Sequence, residues 1–346
     1  METLWFVLVA GMLAAYVVLD GFDLGAGALH LWIARSDDDR RRVFRSIGPV
    51  WDGNEVWLVA AAGTLFAVFP GLYSTAFSGF YLPLMMLLWS LIGRACAIEF
   101  RGLVDGPPWR PFWDAIFSVS SALLALFLGI ALGNVVRGVP LGADGTFFTP
   151  LWTDFLPRGV TGILDGYTIV VGFAALASLA MHGGLWIAHK TDGDLRSRAR
   201  RASIFAWGCA GALVVLAGIL TAVVQPHAVH RFRAAPLGAL FPLAAAGALA
   251  GVAAFLRRDR DRAAFLCSCA FLVSMLATAA FSVWPFVLPS TLDPARGLTV
   301  EGAAAGARTL KLTLLWWLPG VALAAAYFVF LYRKFAGKVS LDEDGY

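Results

Sequence analysis

Charge is scarce in this chain: Asp, Glu, Lys and Arg make up 14% of its 346 residues, against a 59% apolar share and a mean hydropathy of +0.74. Such a balance excludes an ordinary soluble domain. The net charge of +4 and pI near 9.0 do not imply a nucleic-acid partner, because the basic residues gather in particular loops. Cysteine is equally sparse. Cys96, Cys209, Cys267 and Cys269 all fall in apolar runs, so there is no disulfide framework, and no C-x-x-C-H is present for covalent haem. Cys267 and Cys269, two apart, do not face each other on a helix and read as small packing residues. The N-terminus lacks a basic leader region and its first apolar run is too long for a cleaved signal peptide, so that run is expected to stay as the first span.

Long apolar runs are abundant. Nine, near 5–33, 51–70, 73–98, 113–136, 160–189, 203–225, 236–256, 264–288 and 309–333, are long enough to cross a hydrocarbon core. The expected fold is an all-α polytopic membrane protein with nine transmembrane helices, none of which needs a β-strand, with kinks near Pro83, Pro285 and Pro319. The connections alternate in charge. Nineteen of the 27 Lys and Arg lie in 34–50, 99–112, 190–202, 257–263 and the C-terminal tail counted from Arg333; six lie in 137–159, 226–235 and 289–308, and Arg94 and Lys311 fall within spans. The positive-inside rule then puts the N-terminus outside and the C-terminus in the cytoplasm. Arg196 to Arg201 and Arg257 to Arg262 read as topology anchors that also contact anionic lipid. Residues 289–308 read as a flexible outside connection, and Asp342-Glu343-Asp344 as a disordered end.

Against this apolar background a few ionisable residues stand out. Asp20 and Asp23 lie inside the first span, where each carboxylate costs about 2.5–3.5 kcal/mol on insertion scales, so both are expected to face protein or water. Their spacing puts them on one face, and Gly21 and Gly25 form a small-xxx-small strip that admits a neighbouring helix. The stretch from Ile47 to Val59 opens the second span with Gly48-Pro49, then Asp52 and Glu55 three apart, flanked by Trp51 and Trp57. Acids and tryptophans there also suit a helix N-terminus at the membrane–water boundary. By helix rise from a cytoplasmic end, Asp20 lies roughly 20 Å and Asp23 roughly 15 Å deep. Asp52 sits near the entrance, Glu55 about one turn deeper, and the third span brings Arg94 and Glu99 to the same face. The result is a half-channel from the cytoplasm towards mid-membrane, suited to proton delivery. The histidines read as structural. His182 and His189, seven apart, share a face but stand two turns from each other, too far to clamp one haem.

Leu19-Asp20-Gly21-Phe22-Asp23-Leu24-Gly25, Gly48-Pro49-Val50-Trp51-Asp52-Gly53-Asn54-Glu55-Val56-Trp57 and Ala76-Phe77-Ser78-Gly79-Phe80-Tyr81 occur in order, followed by Met181-His182-Gly183-Gly184 and Lys190-Thr191-Asp192-Gly193. Together they resemble subunit II of the cytochrome bd quinol oxidases. The resemblance implies two four-helix bundles, 1–140 and 141–290, plus a peripheral ninth helix and cytoplasmic tail at 291–346. It also implies a bacterial cell-membrane complex that reduces O2 to water with quinol electrons, in which a partner subunit I carries haems b and d and this chain binds none. Asp23 and Asp52 are then the proton-pathway acids, with Trp51 packed beside the second and Arg94 a basic position at the third span's cytoplasmic end. The roles of Asp20 and Glu55 stay open, as do a small single-span subunit and a structural quinone, which no residue here places.

Two other function classes compete. A proton-coupled secondary transporter would show broken helices in corresponding halves and a pathway open to both sides; here the acids cluster in one half. A pure scaffold would leave the acids dispensable. Leu164-Asp165-Gly166-Tyr167 echoes Leu19-Asp20-Gly21-Phe22, but the spacing to the following Leu-Trp-Ile-Ala differs, so Asp165, near the outside end of the fifth span, receives no proton role.

Overall fold

With no proline and only two buried acids to interrupt it, the first apolar run forms a single 32-residue helix, α1 (Glu2–Ile33). In the computed structural model, residues 1–156 and 162–341 are described, so the acidic tail at 342–344 lies outside them. The described residues form thirteen α-helices: α1, α2 (Asp37–Ile47), α3 (Trp51–Val68), α4 (Pro70–Gly79), α5 (Tyr81–Phe100), α6 (Trp109–Arg137), α7 (Gly166–Lys190), α8 (Gly193–Val224), α9 (Pro226–Ala234), α10 (Leu240–Arg257), α11 (Asp261–Val283), α12 (Val300–Ala303) and α13 (Ala307–Lys334). Eight of them, α1, α5, α6, α7, α8, α10, α11 and α13, are long and apolar enough to cross a membrane. The remaining expected span is α3. Its 18 residues reach about 27 Å, but Asp52, Asn54 and Glu55 in its first turns keep it out of that group.

α1 is the hub, packed against α3, α6 and α7, while α7 continues to α8 and α11, α10 pairs with α11, and α13 rests on α3. Small residues permit the central contact. A Cβ at Gly25 would lie 1.8 Å from the Leu179 carbonyl oxygen, and one at Gly183 would lie 2.1 Å from the Ala26 amide nitrogen. The backbones of α1 and α7 therefore touch, which is where tight packing substitutes for the missing hydrophobic drive within lipid.

Three expectations are corrected. The third run, read as one span over 73–98, is divided near Phe80: the Phe147 ring occupies the notch at Gly79, 2.2 Å from where a Cβ would stand, and meets Phe80 edge-on at 5.0 Å. Pro83 consequently falls in the first turn of α5, where its missing N–H breaks no helical bond and makes no kink. The eighth run leaves the helix at Val283, because Pro285 cannot donate to its continuation. Beyond it, β1 (Phe286–Leu288) pairs antiparallel with β2 (Leu298–Thr299), so a strand does occur where helix was expected. Nor is 289–308 a flexible connection. Thr299 caps α12 by accepting from the Gly302 N–H at 3.0 Å, and Val300 and Ala303 are buried in a cluster with Trp5, whose indole N–H donates to the Leu310 carbonyl at 3.2 Å.

The basic loops are more than anchors. Arg196 and Arg200 both donate to Asp261 at 2.7 Å, tying α8 to α11, and Arg198 donates to Asp39 at 2.6 Å, tying α8 to α2. Asp39 also completes a capping box with Ser36 at the start of α2.

Candidate functional site

Helix periodicity brings Asp20 and Asp23 of α1 to the face that meets α3, and both side chains are fully buried. α5 supplies Arg94, also fully buried, whose guanidinium donates to Asp20 Oδ1 at 2.6 Å and to Glu55 Oε2 at 2.7 Å. One cation thus sits between two carboxylates, the arrangement that makes a buried charge tolerable. Asp23 is held differently. The Asn54 amide donates to its Oδ2 at 2.8 Å, and Tyr332 on α13 donates from Oη to Asn54 Oδ1 at 2.9 Å. Around this cluster Tyr16 Oη, Asp20 Oδ2, Asp23 Oδ1 and Arg94 Nε are buried without a hydrogen-bond partner among the described residues. Buried polar atoms of this density are normally satisfied by internal water, the medium a proton relay needs.

The other expected residues lie at the edge. Asp52 is exposed in the first turn of α3, and Glu99 is exposed near the end of α5; neither joins an ion pair among the described residues. Trp51 is half-buried beside Asp52, while Trp57 turns inward with its ring 5.8 Å from Phe328 of α13. Gly21 and Gly25 face α7, as the small-residue strip required. The structure thus unites Asp20, Asp23, Glu55 and Arg94 and leaves Asp52 and Glu99 outside the buried cluster.

Sequence reasoning missed Asn54 and Tyr332, although Asn54 stood inside a quoted motif as a polar residue in an apolar run. It also missed a second network at the same end of the bundle. Asp114 of α6 accepts from Arg101 at 2.6 Å and Arg40 at 2.9 Å and bonds His30 at 2.8 Å; Arg101 reaches on to Asp37 at 2.7 Å. Burial pushes the Arg101 guanidinium down, but its hydrogen bonds to Asp114 and Asp37 outweigh this and hold it above its usual range. Asp114 was legible as a lone acid at the start of the fourth apolar run.

The imidazoles are committed elsewhere. His182 bonds Ser268 Oγ at 2.6 Å through Nδ1 and the Val18 carbonyl at 2.9 Å through Nε2, with Phe265 stacked on its ring. His30 is bonded to Asp114 and hemmed in by the rings of Phe44 and Phe117 at 5.1 and 5.3 Å. Neither position offers both a free nitrogen and the room a haem requires, so these residues do not fit that group. Among the described residues no three His, Cys, Asp or Glu stand together as a metal site.

Residues 1–335 match the family described as cytochrome bd terminal oxidase subunit II. The chain belongs to that family. Similar proteins include a probable cytochrome oxidase subunit 2 of Haemophilus influenzae, 32% identical over 98% of this chain and 95% of the relative. The cytochrome bd ubiquinol oxidase subunit 2 of Bacillus subtilis is 32% identical over 96% of each chain, and the bd-I subunit 2 of Escherichia coli is 29% identical over 98% of this chain and 95% of the relative. A bd oxidase structure from Geobacillus thermodenitrificans has the same fold, with a TM-score of 0.77 at 17% identity over 96% of this chain and 98% of that one. As a subunit II, the chain works in a complex with a subunit I, and the acid cluster is read in that setting.

Proposed function

We propose that this chain is the haem-free, proton-conducting subunit of a membrane quinol:O2 oxidoreductase, delivering cytoplasmic protons for the reduction of O2 to water. One observation carries the reading. Of the three carboxyls in the buried cluster, Asp20 and Glu55 are committed to Arg94, whereas Asp23 accepts from the neutral Asn54 amide and, among the described residues, joins no ion pair. A carboxyl not held by a cation is the one that can take up and release a proton without breaking an ion pair. Asp52, exposed at the start of α3, collects protons; Glu55, 21% exposed, lies between surface and interior. The haems b and d are assigned to subunit I; in support, both His182 nitrogens are taken by Ser268 and the Val18 carbonyl, and His30, bonded to Asp114, is walled in by Phe44 and Phe117.

α1, α3, α5 and α6 form the first bundle within 1–140, and α7, α8, α10 and α11 the second within 141–290, with α13 peripheral in 291–346. An apolar cavity of about 360 Å³, lined by residues such as Val9, Phe69, Leu84, Ile130 and Val283, supports a structural quinone held by its hydrocarbon tail. The transporter alternative is disfavoured because the buried acid cluster lies in one bundle.

Purification of the tagged chain from its own membranes tests the assignment. A stoichiometric second polytopic subunit carrying all the haem is expected; haem retained by this chain alone would overturn it. The orientation rests on the distribution of Lys and Arg. A reporter active only outside the cytoplasm should be silent after Tyr346 and active within 137–159, and the reverse would invert the proton path.

A further inference from the structure

We infer that Tyr332 on α13 is a positioning residue whose hydroxyl partners the Asn54 amide in either orientation towards Asp23 and thereby tunes proton exchange at that acid. The inference rests on the proposed proton role of Asp23 and concerns how that role is controlled.

A primary amide presents an acceptor on one side and donors on the other. Asn54 is fully buried, with Asp23 on its Nδ2 side at 2.8 Å and Tyr332 on its Oδ1 side at 2.9 Å. An ionised carboxylate only accepts, so it requires Nδ2 to face it, and Oδ1 must then find a donor on its other side. The Tyr332 hydroxyl is that donor. A protonated Asp23 can instead donate, which suits an amide turned about so that Oδ1 faces the acid, and the same hydroxyl can then accept from Nδ2. Tyrosine serves both arrangements because its hydroxyl donates and accepts. Phenylalanine serves neither.

The setting isolates this effect. The Tyr332 ring is held by Phe328, with centroids 6.2 Å apart, and by Trp186 edge-on at 6.3 Å, so packing and hydrogen bonding belong to different atoms of one side chain. The titratable and charged groups around the pair are Asp20 on α1, Arg94 on α5, Glu55 on α3 and Cys269 on α11. Among the described residues none of these hydrogen-bonds to the Asn54 amide, whose hydrogen bonds go to Asp23 and Tyr332. The last turn of α13 thus reaches into a cluster otherwise built from the first hundred residues of the chain.

The test compares the purified oxidase complex with its Y332F, F328L and D23N variants, each normalised to haem content, by quinol-oxidation rate across pH. Y332F is expected to lose turnover several-fold with a displaced midpoint of the pH–rate profile, whereas F328L, which disturbs packing and spares the hydroxyl, keeps the parental midpoint. If D23N is inactive and Y332F keeps the parental profile, the positioning role is wrong while the proton role of Asp23 stands. A midpoint displaced equally in F328L also overturns it, since packing would then be the cause. Full turnover in D23N removes the proton role, and this inference with it.

Discussion

Asp23→Asn should lower quinol-oxidation turnover roughly a hundredfold or more, the range in which a positioned proton-transfer group contributes, while haem content and subunit stoichiometry stay at parental values. Asparagine keeps the shape of the side chain and can still meet the Asn54 amide, so the packing of α1 against α3 is preserved. What it cannot do is carry a proton. Asp52→Asn is expected to cost less, because Asp52 is exposed and water can replace it as the collector. Stopped-flow or oxygen-electrode turnover per haem decides the matter: near-parental rates in Asp23→Asn would favour a scaffold.

Arg94→Met should have the largest effect on assembly. Removing the guanidinium leaves Asp20 and Glu55 facing each other in a buried site with no cation, and breaking a buried pair in this way costs about 3–5 kcal/mol. Asp20 is fully buried, and Arg94 is its one ion-pair partner among the described residues. The complex is expected to be recovered in low yield with a shortened thermal half-life. Arg94→Lys should restore part of the yield, since a lysine keeps the charge but cannot reach both carboxylates with a planar fork. Parental yield and half-life in Arg94→Met would show that the ion cluster does not hold α1, α3 and α5 together.

The spans and the acids on α1 were legible because each is a violation of its background: apolar runs in a chain of connectors, carboxylates in an apolar run. Asp20, Asp23 and Gly25 could be placed on helix faces from spacing alone. Arg94 could be placed in the third apolar run, yet its bridging of two carboxylates depends on how α5 lies against α1 and α3, which no local pattern encodes. Tyr332 was illegible for the same reason. A tyrosine near the end of a span is an ordinary boundary residue, and only the docking of α13 on α3 turns it towards Asn54. The break near Phe80 and the strand at Phe286–Leu288 were missed because each depends on contacts distant in sequence, Phe147 in the first case and Leu298–Thr299 in the second.

Proton uptake during a single reaction with O2 tests the central claim most directly. The reduced complex, in parental and Asp23→Asn forms of equal haem content, is mixed with O2 and followed with a pH-indicating dye. The account predicts that uptake in Asp23→Asn slows by the same factor as turnover. Uptake at the parental rate in that variant would contradict it, because the protons would then be reaching the reaction centre by a route that does not pass through this subunit's buried acid.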